Sequence, residues 1–278
     1  MRGLFTNRQG RGEERMFLVC GEALWDLFVS DYGADADVGG MARIGFDGRI
    51  GGSPFNVAIG ISRLGHRSGF FSGISSDPLG RRLIHALERE NVDTAHVISF
   101  PNPTTLSLVD VGPDGGPAYT FYGTGAADRA LNSGDLPDLA EDVWGIHFGS
   151  YSLVVEPVGS ALLELAEREA GRRLITLDPN VRFTVESDRD VWCRCIEAFV
   201  SHSDVVKVRE EDLEFLYPGE CFVAVAARWR ATGAGIVVVT GGRAGVCVPM
   251  AAVSRSRWRR GRSRLLTLSA RATVFRQH

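Results

Sequence analysis

The sequence contains almost no lysine, and its last part contains no acidic residue. Of the 31 basic residues, 30 are arginine and one is Lys207. All 34 acidic residues lie within residues 1–220, whereas residues 221–278 carry 11 arginines and no acid. The formal net charge of −3 therefore combines an acidic segment with a basic one, so the charge of the whole chain is a poor guide to its binding partners.

Three further absences exclude whole classes of protein. No apolar run reaches the 18 residues that a membrane-spanning helix needs. The first 15 residues lack the apolar stretch of a secretory signal, and we expect residues 1–15 to be a disordered extension. The five cysteines lack paired C-x-x-C spacing, which predicts reduced thiols, no zinc site, no disulfide framework and a cytoplasmic location.

The sequence that remains is typical of a soluble α/β protein. Its 278 residues are 44% hydrophobic and 23% charged, enough for one large domain with at most a small appendage. Short apolar strands alternate with amphipathic helices, which predicts a mainly parallel sheet with helices on both faces. The strands are expected at residues 17–22, 70–72, 145–149, 174–178, 204–207 and 235–240, and the helices at 57–64, 83–87, 158–170, 190–199, 210–216 and 222–230.

Two segments depart from this alternation. Residues 103–122 show a period of two around a Pro-Asp-Gly-Gly turn, which predicts a β-hairpin. Residues 31–50 are rich in glycine and aspartate and lack helical periodicity. We expect these segments, at about 27–50 and 100–125, to form a small β lid beside the main sheet.

The end of the first strand carries the first candidate binding residue. The strand continues into Gly21-Glu22-Ala23-Leu24-Trp25-Asp26 rather than into G-x-G-x-x-G, which argues against a Rossmann dehydrogenase. Ligands bind at the carboxyl edge of open parallel sheets, so Asp26 could hydrogen-bond a polyol. A solvated turn aspartate is the alternative.

A glycine pair precedes the helix at residues 57–64. Gly51 and Gly52 permit close backbone approach to a ligand, and the helix N-terminus leaves N–H groups free. Asn56 adds an amide that can donate to and accept from hydroxyls. Close packing alone would also explain two glycines at this position.

Six motifs in this order resemble the ribokinase-like (PfkB) sugar kinases, with a fructokinase character, between about Phe17 and Val246. The motifs are Gly21-Glu22-x-x-x-Asp26, Gly51-Gly52-Ser53-Pro54-Phe55-Asn56-Val57-Ala58, His147-Phe148-Gly149-Ser150-Tyr151-Ser152 with Glu156-Pro157, Asp178-Pro179-Asn180-x-Arg182, Val206-Lys207-Val208, and Val238-Val239-Thr240-x-Gly242-x-x-Gly245. The resemblance assigns residues 16–250 to one ribokinase-like sugar kinase domain with an incomplete C-terminal part.

The resemblance also implies an activity and a set of site residues. The family transfers the γ-phosphoryl group of ATP, with Mg²⁺, to a primary sugar hydroxyl, here of fructose or a related sugar. By position, the sugar would be bound by Asp26, Gly51, Gly52 and Asn56. The phosphates and nucleotide would be bound by Asn180, Arg182, Thr240, Gly242 and Gly245, and the metal by Asp178 and Asp212. A homodimer formed through the β lid is a further expectation.

Two departures lie within the matched region. Ser75 stands where the family's first signature usually ends in glycine, a change that a tight turn can tolerate, and the second departure follows Lys207. The family usually has Asn or Ser two residues after the lysine of the Val206-Lys207-Val208 motif, followed by an acid near the shell of Mg²⁺ and water. This chain has Arg209 and Asp212 at those positions. We expect Arg209 to point into solvent, since arginine is mostly exposed, and the alternative is a cation beside the metal site.

The motif that supplies the family's catalytic base, Asp-Thr-x-Gly-Ala-Gly-Asp, is absent. Permitted codons for residues 266–278, read in a shifted frame, can spell Asp-Thr-Val-Gly-Ala-Gly-Asp, and arginine codons are mostly GC-rich. We therefore hypothesise that the reading frame slips between Val246 and about Arg255, which would make residues 251–278 an aberrant arginine-rich tail and impair catalysis.

Other functions stay open at this point. A non-catalytic sugar- or nucleotide-binding protein would retain the binding residues without the chemistry. A nucleoside kinase of the same family is also compatible with the motifs. Nucleic-acid binding by the arginine-rich tail is the least favoured interpretation, because a frame shift explains both the arginines and the missing acids.

Overall fold

The structure is a computed structural model that describes residues 15–31, 45–111, 117–241 and 246–247. The disordered extension expected at residues 1–15 therefore falls outside the described residues except for Arg15, and so does the tail at 251–278. The strands are β1 (Met16–Cys20), β2 (Leu24–Asp31), β3 (Gly45–Gly51), β4 (Arg67–Ser75), β5 (Val97–Phe100), β6 (Leu106–Val111), β7 (Pro117–Tyr122), β8 (Val143–Gly149), β9 (Leu174–Asp178), β10 (Val205–Arg209), β11 (Ile236–Thr240) and β12 (Val246–Cys247). The helices are α1 (Ser53–Arg63), α2 (Pro78–Arg89), α3 (Val158–Glu169), α4 (Arg189–His202), α5 (Glu210–Leu216) and α6 (Phe222–Thr232).

The main sheet has the strand order β12-β11-β10-β9-β8-β1-β4-β5. Neighbouring strands from β11 to β5 pair in parallel, and β12 pairs antiparallel with β11. This confirms the predicted mainly parallel sheet. Strand β5 was not predicted, because its four residues are only partly buried or exposed and show no clear apolar pattern.

Helices cover both faces of the sheet, as the alternation of strands and helices along the chain predicted. Leu18 and Cys20 of β1 join a large cluster that contains the fully buried Trp192 of α4 and Trp229 of α6. Val19, between them, packs on the other face with residues of α1 and α2. Side chains alternate across a strand, so one apolar strand supplies both cores.

Local signals fix where the first two helices begin. In α1, Gly52 is the N-cap with φ 105° and Pro54 follows in the first turn. In α2, Pro78 is the first residue and the Asp77 carboxylate accepts a hydrogen bond from the Gly80 N–H. Proline at the first helical position and aspartate at the N-cap are both favoured by the unpaired N–H groups there.

A second sheet, hereafter the lid, has the strand order β3-β2-β6-β7. Strand β2 pairs antiparallel with β3 and parallel with β6, and β6 pairs antiparallel with β7. The predicted hairpin at 103–122 and the small second sheet are therefore confirmed. The lid begins at Leu24, a few residues earlier than expected, so Asp26 lies within a lid strand rather than in a turn.

Among the described residues, no helix is both long and apolar enough to cross a membrane.

Candidate functional site

The topology of the main sheet places a crevice at the carboxyl end of β1. The chain proceeds from β1 to β4 and β5 on one side of the sheet, and from β8 to β11 on the other. Loops that leave adjacent strands in opposite directions open a crevice where ligands bind in α/β proteins. A cavity of about 430 Å³ lies there, lined by both the sheet edge and the lid, and this volume falls in the range of small-molecule sites.

One wall of the cavity brings together the residues predicted to bind sugar. Asp26 of β2 lies opposite Arg49 in the pairing with β3, and Asp26, Gly52 and Asn56 all line the cavity. Burial raises the pKa of Asp26, and the Ser107 hydroxyl and the Arg182 guanidinium act in the opposite direction. A half-buried carboxylate beside an amide can bind neighbouring sugar hydroxyls.

Gly52 lines the cavity, whereas Gly51 does not, and the two positions have different reasons to be glycine. A Cβ on Gly51 would lie 2.3 Å from Oδ2 of Asp26, so any side chain there would displace the carboxylate. Gly52 has φ 105°, and a Cβ there would lie 2.6 Å from the backbone oxygen of Glu22. The close-packing explanation therefore holds for Gly52, whereas Gly51 makes room for Asp26 itself.

The lid contributes aromatic side chains that the sequence analysis did not single out. Tyr119 and Phe121 of β7 both line the cavity, because residues two apart in a strand share a face. Their rings stack at a centroid distance of 6.3 Å, and Phe121 meets Tyr151 edge to face at 5.7 Å. The alternation in β7 was the available signal for this aromatic wall.

Asn180 and Arg182 line the same cavity as Asp26. Asn180 has a left-handed backbone with φ 39°. The Arg182 guanidinium donates to the backbone oxygens of Asn180, at 3.3 Å, and Val181, at 3.0 Å. The loop after β9 thus places a cation in the same cavity as the residues predicted to bind sugar, and its own contact with phosphate stays a prediction.

A second polar group follows along the same edge of the sheet. Lys207 Nζ donates to Oδ2 of Asp178 at 3.0 Å, while Oδ1 of Asp178 is buried and has no hydrogen-bond partner among the described residues. Burial raises the pKa of Asp178, and Lys207 opposes that rise. Burial and the charge of Lys207 lower the pKa of His147 to about 4, so this imidazole is neutral at physiological pH.

The Arg209 side chain is 37% exposed, but its guanidinium is paired with a carboxylate rather than free in solvent as expected. Its guanidinium donates two hydrogen bonds to Asp212, from Nη2 to Oδ1 at 2.8 Å and from Nε to Oδ2 at 3.1 Å. The Asp212 side chain is only 3% exposed, so the bidentate pair neutralises a buried carboxylate. Arg209 precedes helix α5, and the i,i+3 spacing brings the two side chains together.

The two predicted metal ligands, Asp178 and Asp212, therefore differ in whether a carboxylate oxygen is available to bind a metal ion. The free oxygen of Asp178 fits a water-mediated contact with Mg²⁺, which is often held by one or two carboxylates plus phosphates. Both oxygens of Asp212 are engaged by Arg209. No group of three acidic, histidine or cysteine side chains within the described ranges could hold a metal by itself. A bound Mg²⁺ would neutralise charge on the transferring phosphoryl group.

The predicted nucleotide residues are only partly described. Thr240 ends β11, pairs with Arg209 of β10, and its hydroxyl lies 3.4 Å from the backbone oxygen of Val208. It lies on the same sheet edge as Asp178 but does not line the cavity. Gly242 and Gly245 lie outside the described residues.

The chain belongs to the pfkB family of carbohydrate kinases, whose sequence pattern matches residues 15–250. Among its relatives is a fructokinase of Rhizobium leguminosarum bv. trifolii, 37% identical over 230 residues that cover 83% of this chain and 68% of the relative. A fructokinase of Salmonella typhimurium is 34% identical over 70% of this chain and 64% of its own length. The chain thus spans about two thirds of these relatives.

Solved structures show the same fold. The Xylella fastidiosa fructokinase superimposes with a TM-score of 0.76 at 23% identity, covering 84% of this chain and 72% of that protein. The Vibrio cholerae O395 fructokinase, in a form with fructose, ADP and calcium ion bound, superimposes with a TM-score of 0.72 at 28% identity, covering 87% and 75%. These likenesses confirm the predicted ribokinase-like fold and family.

Proposed function

We propose that the cavity binds fructose or a closely related sugar, whose primary hydroxyl accepts the γ-phosphoryl group of ATP. The observation that carries this proposal is the Asp26 carboxylate in a 430 Å³ cavity shared with Asn56 and Arg182. A carboxylate and an amide orient hydroxyls, and a cation in the same cavity suits the charge that develops on a phosphoryl group. The fructose-bound Vibrio cholerae relative supports the choice of sugar.

In this proposal ATP lies along the edge formed by Asp178, Lys207 and Thr240, next to the sugar. ATP and ADP are bound in the fructokinases of Xylella fastidiosa and Vibrio cholerae, respectively. Lys207 would balance phosphate charge, and the free oxygen of Asp178 would hold Mg²⁺ through water. Transfer requires a base near the attacking hydroxyl, and the family motif that supplies this base is absent from the chain.

The absence of this motif predicts binding with little turnover. Loss of a general base lowers the rate by about 10²–10⁴, and each lost oxyanion-type donor by about 10²–10³ more. Calorimetric titration with D-fructose, followed by an ADP-release assay with ATP and Mg²⁺, tests both parts. We expect saturable fructose binding and ADP release far below that of a chain carrying the motif in frame. Robust turnover by the unchanged chain would contradict the impairment, and absence of binding would contradict the sugar site.

The aromatic wall favours a nucleoside as the second candidate substrate. The rings of Tyr119 and Phe121 lie on the face of the lid that lines the cavity, and aromatic rings stack on bases. Titration with adenosine alongside fructose separates the candidates. Tighter binding of fructose than of adenosine supports the sugar kinase proposal. Tighter binding of adenosine would contradict it and favour a nucleoside kinase.

A further inference from the structure

Two buried carboxylates sit at the base of the lid, one beside each of its hairpins. Glu22, 1% exposed, lies between β1 and β2, and Asp128, 2% exposed, follows β7. Neither forms an ion pair with an arginine or lysine of the described residues within 4.0 Å. Burying such groups is costly unless each is fully hydrogen-bonded, so their partners indicate what they hold in place.

Glu22, two residues before β2, connects the start of α1, which follows the β2–β3 hairpin, to the turn that follows β8. Its Oε1 accepts from the backbone N–H of Ser53, the first residue of α1 and two residues beyond the end of β3, at 3.1 Å. Its Oε2 accepts from the Ser152 hydroxyl at 2.5 Å. Ser152 belongs to the buried turn Ser150–Leu153, 130 residues further along the chain.

Asp128 joins the β6–β7 hairpin to the same turn. Its Oδ1 accepts from the hydroxyl of Thr105, which directly precedes β6, at 2.5 Å, and its Oδ2 accepts from the Tyr151 hydroxyl at 2.7 Å. Thr105 is also tied to the first hairpin, since its backbone oxygen accepts from the Trp25 N–H at 3.1 Å. Tyr151 lies next to Ser152, so both carboxylates bond to adjacent residues of one turn.

The shared turn also forms the floor of the cavity. Ser150 and Tyr151 line the cavity, and Ser150 has a left-handed backbone with φ 63° that a non-glycine residue adopts only when its surroundings hold it there. The Tyr151 ring is fixed on one side by Phe121 of the lid, at 5.7 Å, and on the other by the Arg129 guanidinium, at 5.1 Å. A displacement of this turn therefore moves both the floor and the lid.

We propose that Glu22 and Asp128 are paired positioning residues that fix the two lid hairpins to the Ser150–Leu153 turn and thereby set the shape of the sugar cavity. The proposal rests on the proposed function for the identity of the ligand. Glu22 also lines the cavity, whereas Asp128 and Thr105 do not, and the proposal does not require either carboxylate to touch the sugar or the phosphoryl group. It predicts that loosening one connection loosens the lid as well as sugar binding.

Thr105 offers a matched pair of variants that leaves the cavity lining intact. Thr105→Val removes the hydroxyl that bonds to Asp128, and Thr105→Ser keeps it. We expect Thr105→Val to raise the dissociation constant for D-fructose about tenfold, because a hydrogen bond to a charged group is lost. Thr105→Ser, which keeps the hydroxyl, should bind D-fructose as tightly as the unmodified chain. Hydrogen exchange without sugar should speed up in β6 and β7 of the valine variant and stay unchanged in β9 and β10.

A buried carboxylate far from the lid serves as the control. Glu169 is 3% exposed and accepts from Arg168 at 3.2 Å and Arg173 at 2.8 Å, at the end of α3. Glu169→Gln should lower the melting temperature without changing lid exchange or fructose affinity. Unchanged exchange in β6 and β7 of Thr105→Val would overturn the proposal, even if fructose affinity fell.

A variant that combines Glu22→Gln with Asp128→Asn tests whether the two carboxylates act through one turn. Glu22→Gln and Asp128→Asn should each weaken fructose binding about tenfold, and together by clearly less than the hundredfold that independent sites would give. A full hundredfold effect would overturn the shared-turn account. If the unmodified chain binds no fructose, the proposed function fails, and lid exchange in the sugar-free variants still decides this inference.

Discussion

Substitution of one glycine should disable the sugar site while leaving the fold in place. Gly51 lies next to Asp26, and a Cβ there would lie 2.3 Å from Oδ2 of that carboxylate and 2.7 Å from Cδ1 of Leu24. Real Cβ atoms do not approach so closely, so in Gly51→Ala the Asp26 side chain must move. Restoring ordinary contact requires a displacement of about 1 Å, because dispersion contacts are optimal near 3.5–4 Å.

This displacement sets the expected size of the effect. A sugar hydroxyl about 2.7 Å from the carboxylate would end up near 3.7 Å, beyond hydrogen-bond range. Loss of one charge-assisted hydrogen bond costs about 1.5–3 kcal/mol, which raises the dissociation constant for D-fructose about 10- to 100-fold. Calorimetric titration of the purified variant measures this change.

Gly60 provides the matched control. It lies within α1, and a Cβ there would meet nothing within 4 Å. Gly60→Ala should stabilise the helix by about 1 kcal/mol, from helix propensity, and leave fructose affinity unchanged. The reasoning is refuted if Gly51→Ala binds fructose as tightly as Gly60→Ala does.

The remaining predictions concern stability and its pH dependence. Arg209→Ala leaves the buried Asp212 carboxylate without its bidentate partner. It should lower the free energy of unfolding, measured with urea, by about 2 kcal/mol. An unchanged free energy of unfolding would show that the pair contributes nothing to stability. Burial acts to raise the pKa of Asp77, but hydrogen bonds from Gly80 and Thr104 outweigh it and lower that pKa from 3.8 to about 2. Because the folded state favours the ionised form, the stabilisation relative to Asp77→Asn should be complete above pH 3.8 and disappear as the pH falls towards 2. Urea titrations at pH 6 and near pH 2 test this, and a difference in stability that stays constant with pH would contradict it.

The sequence pattern predicted those elements whose signals are local. Strand β9 and helix α5 were expected at residues 174–178 and 210–216, and the structure has them at Leu174–Asp178 and Glu210–Leu216. The start of α1 follows from Gly52 and Pro54, which suit an N-cap and a first turn. Strand β5 was missed because it is a short edge strand whose pairing with β4 depends on tertiary structure.

The candidate site likewise contains residues that the sequence predicted and contacts that it did not. The motifs brought Asp26, Gly52 and Asn56 to attention, and these residues do line one cavity. The pairing of Arg209 with Asp212 was not foreseen, because exposure statistics for arginine ignore a buried carboxylate one helical turn away.

The hydrogen bonds of Glu22 and Asp128 to the Ser150–Leu153 turn could not be predicted from local sequence patterns. Ser152 bonds to Glu22 across 130 residues, and Tyr151 to Asp128 across 23 residues. Nothing in the periodicity of either segment indicates a partner so far away. Only the strand order, which places β8 beside β1, brings these residues together.

The central claim is that the cavity at the end of β1 is a sugar site that depends on Asp26. Calorimetric titration of D-fructose into the full chain and into Asp26→Ala tests it most directly. We expect one saturable site in the full chain and binding weakened at least about 100-fold in the variant, since the carboxylate would accept more than one hydroxyl. Equal affinity of the two proteins, or no binding to either, would contradict the account.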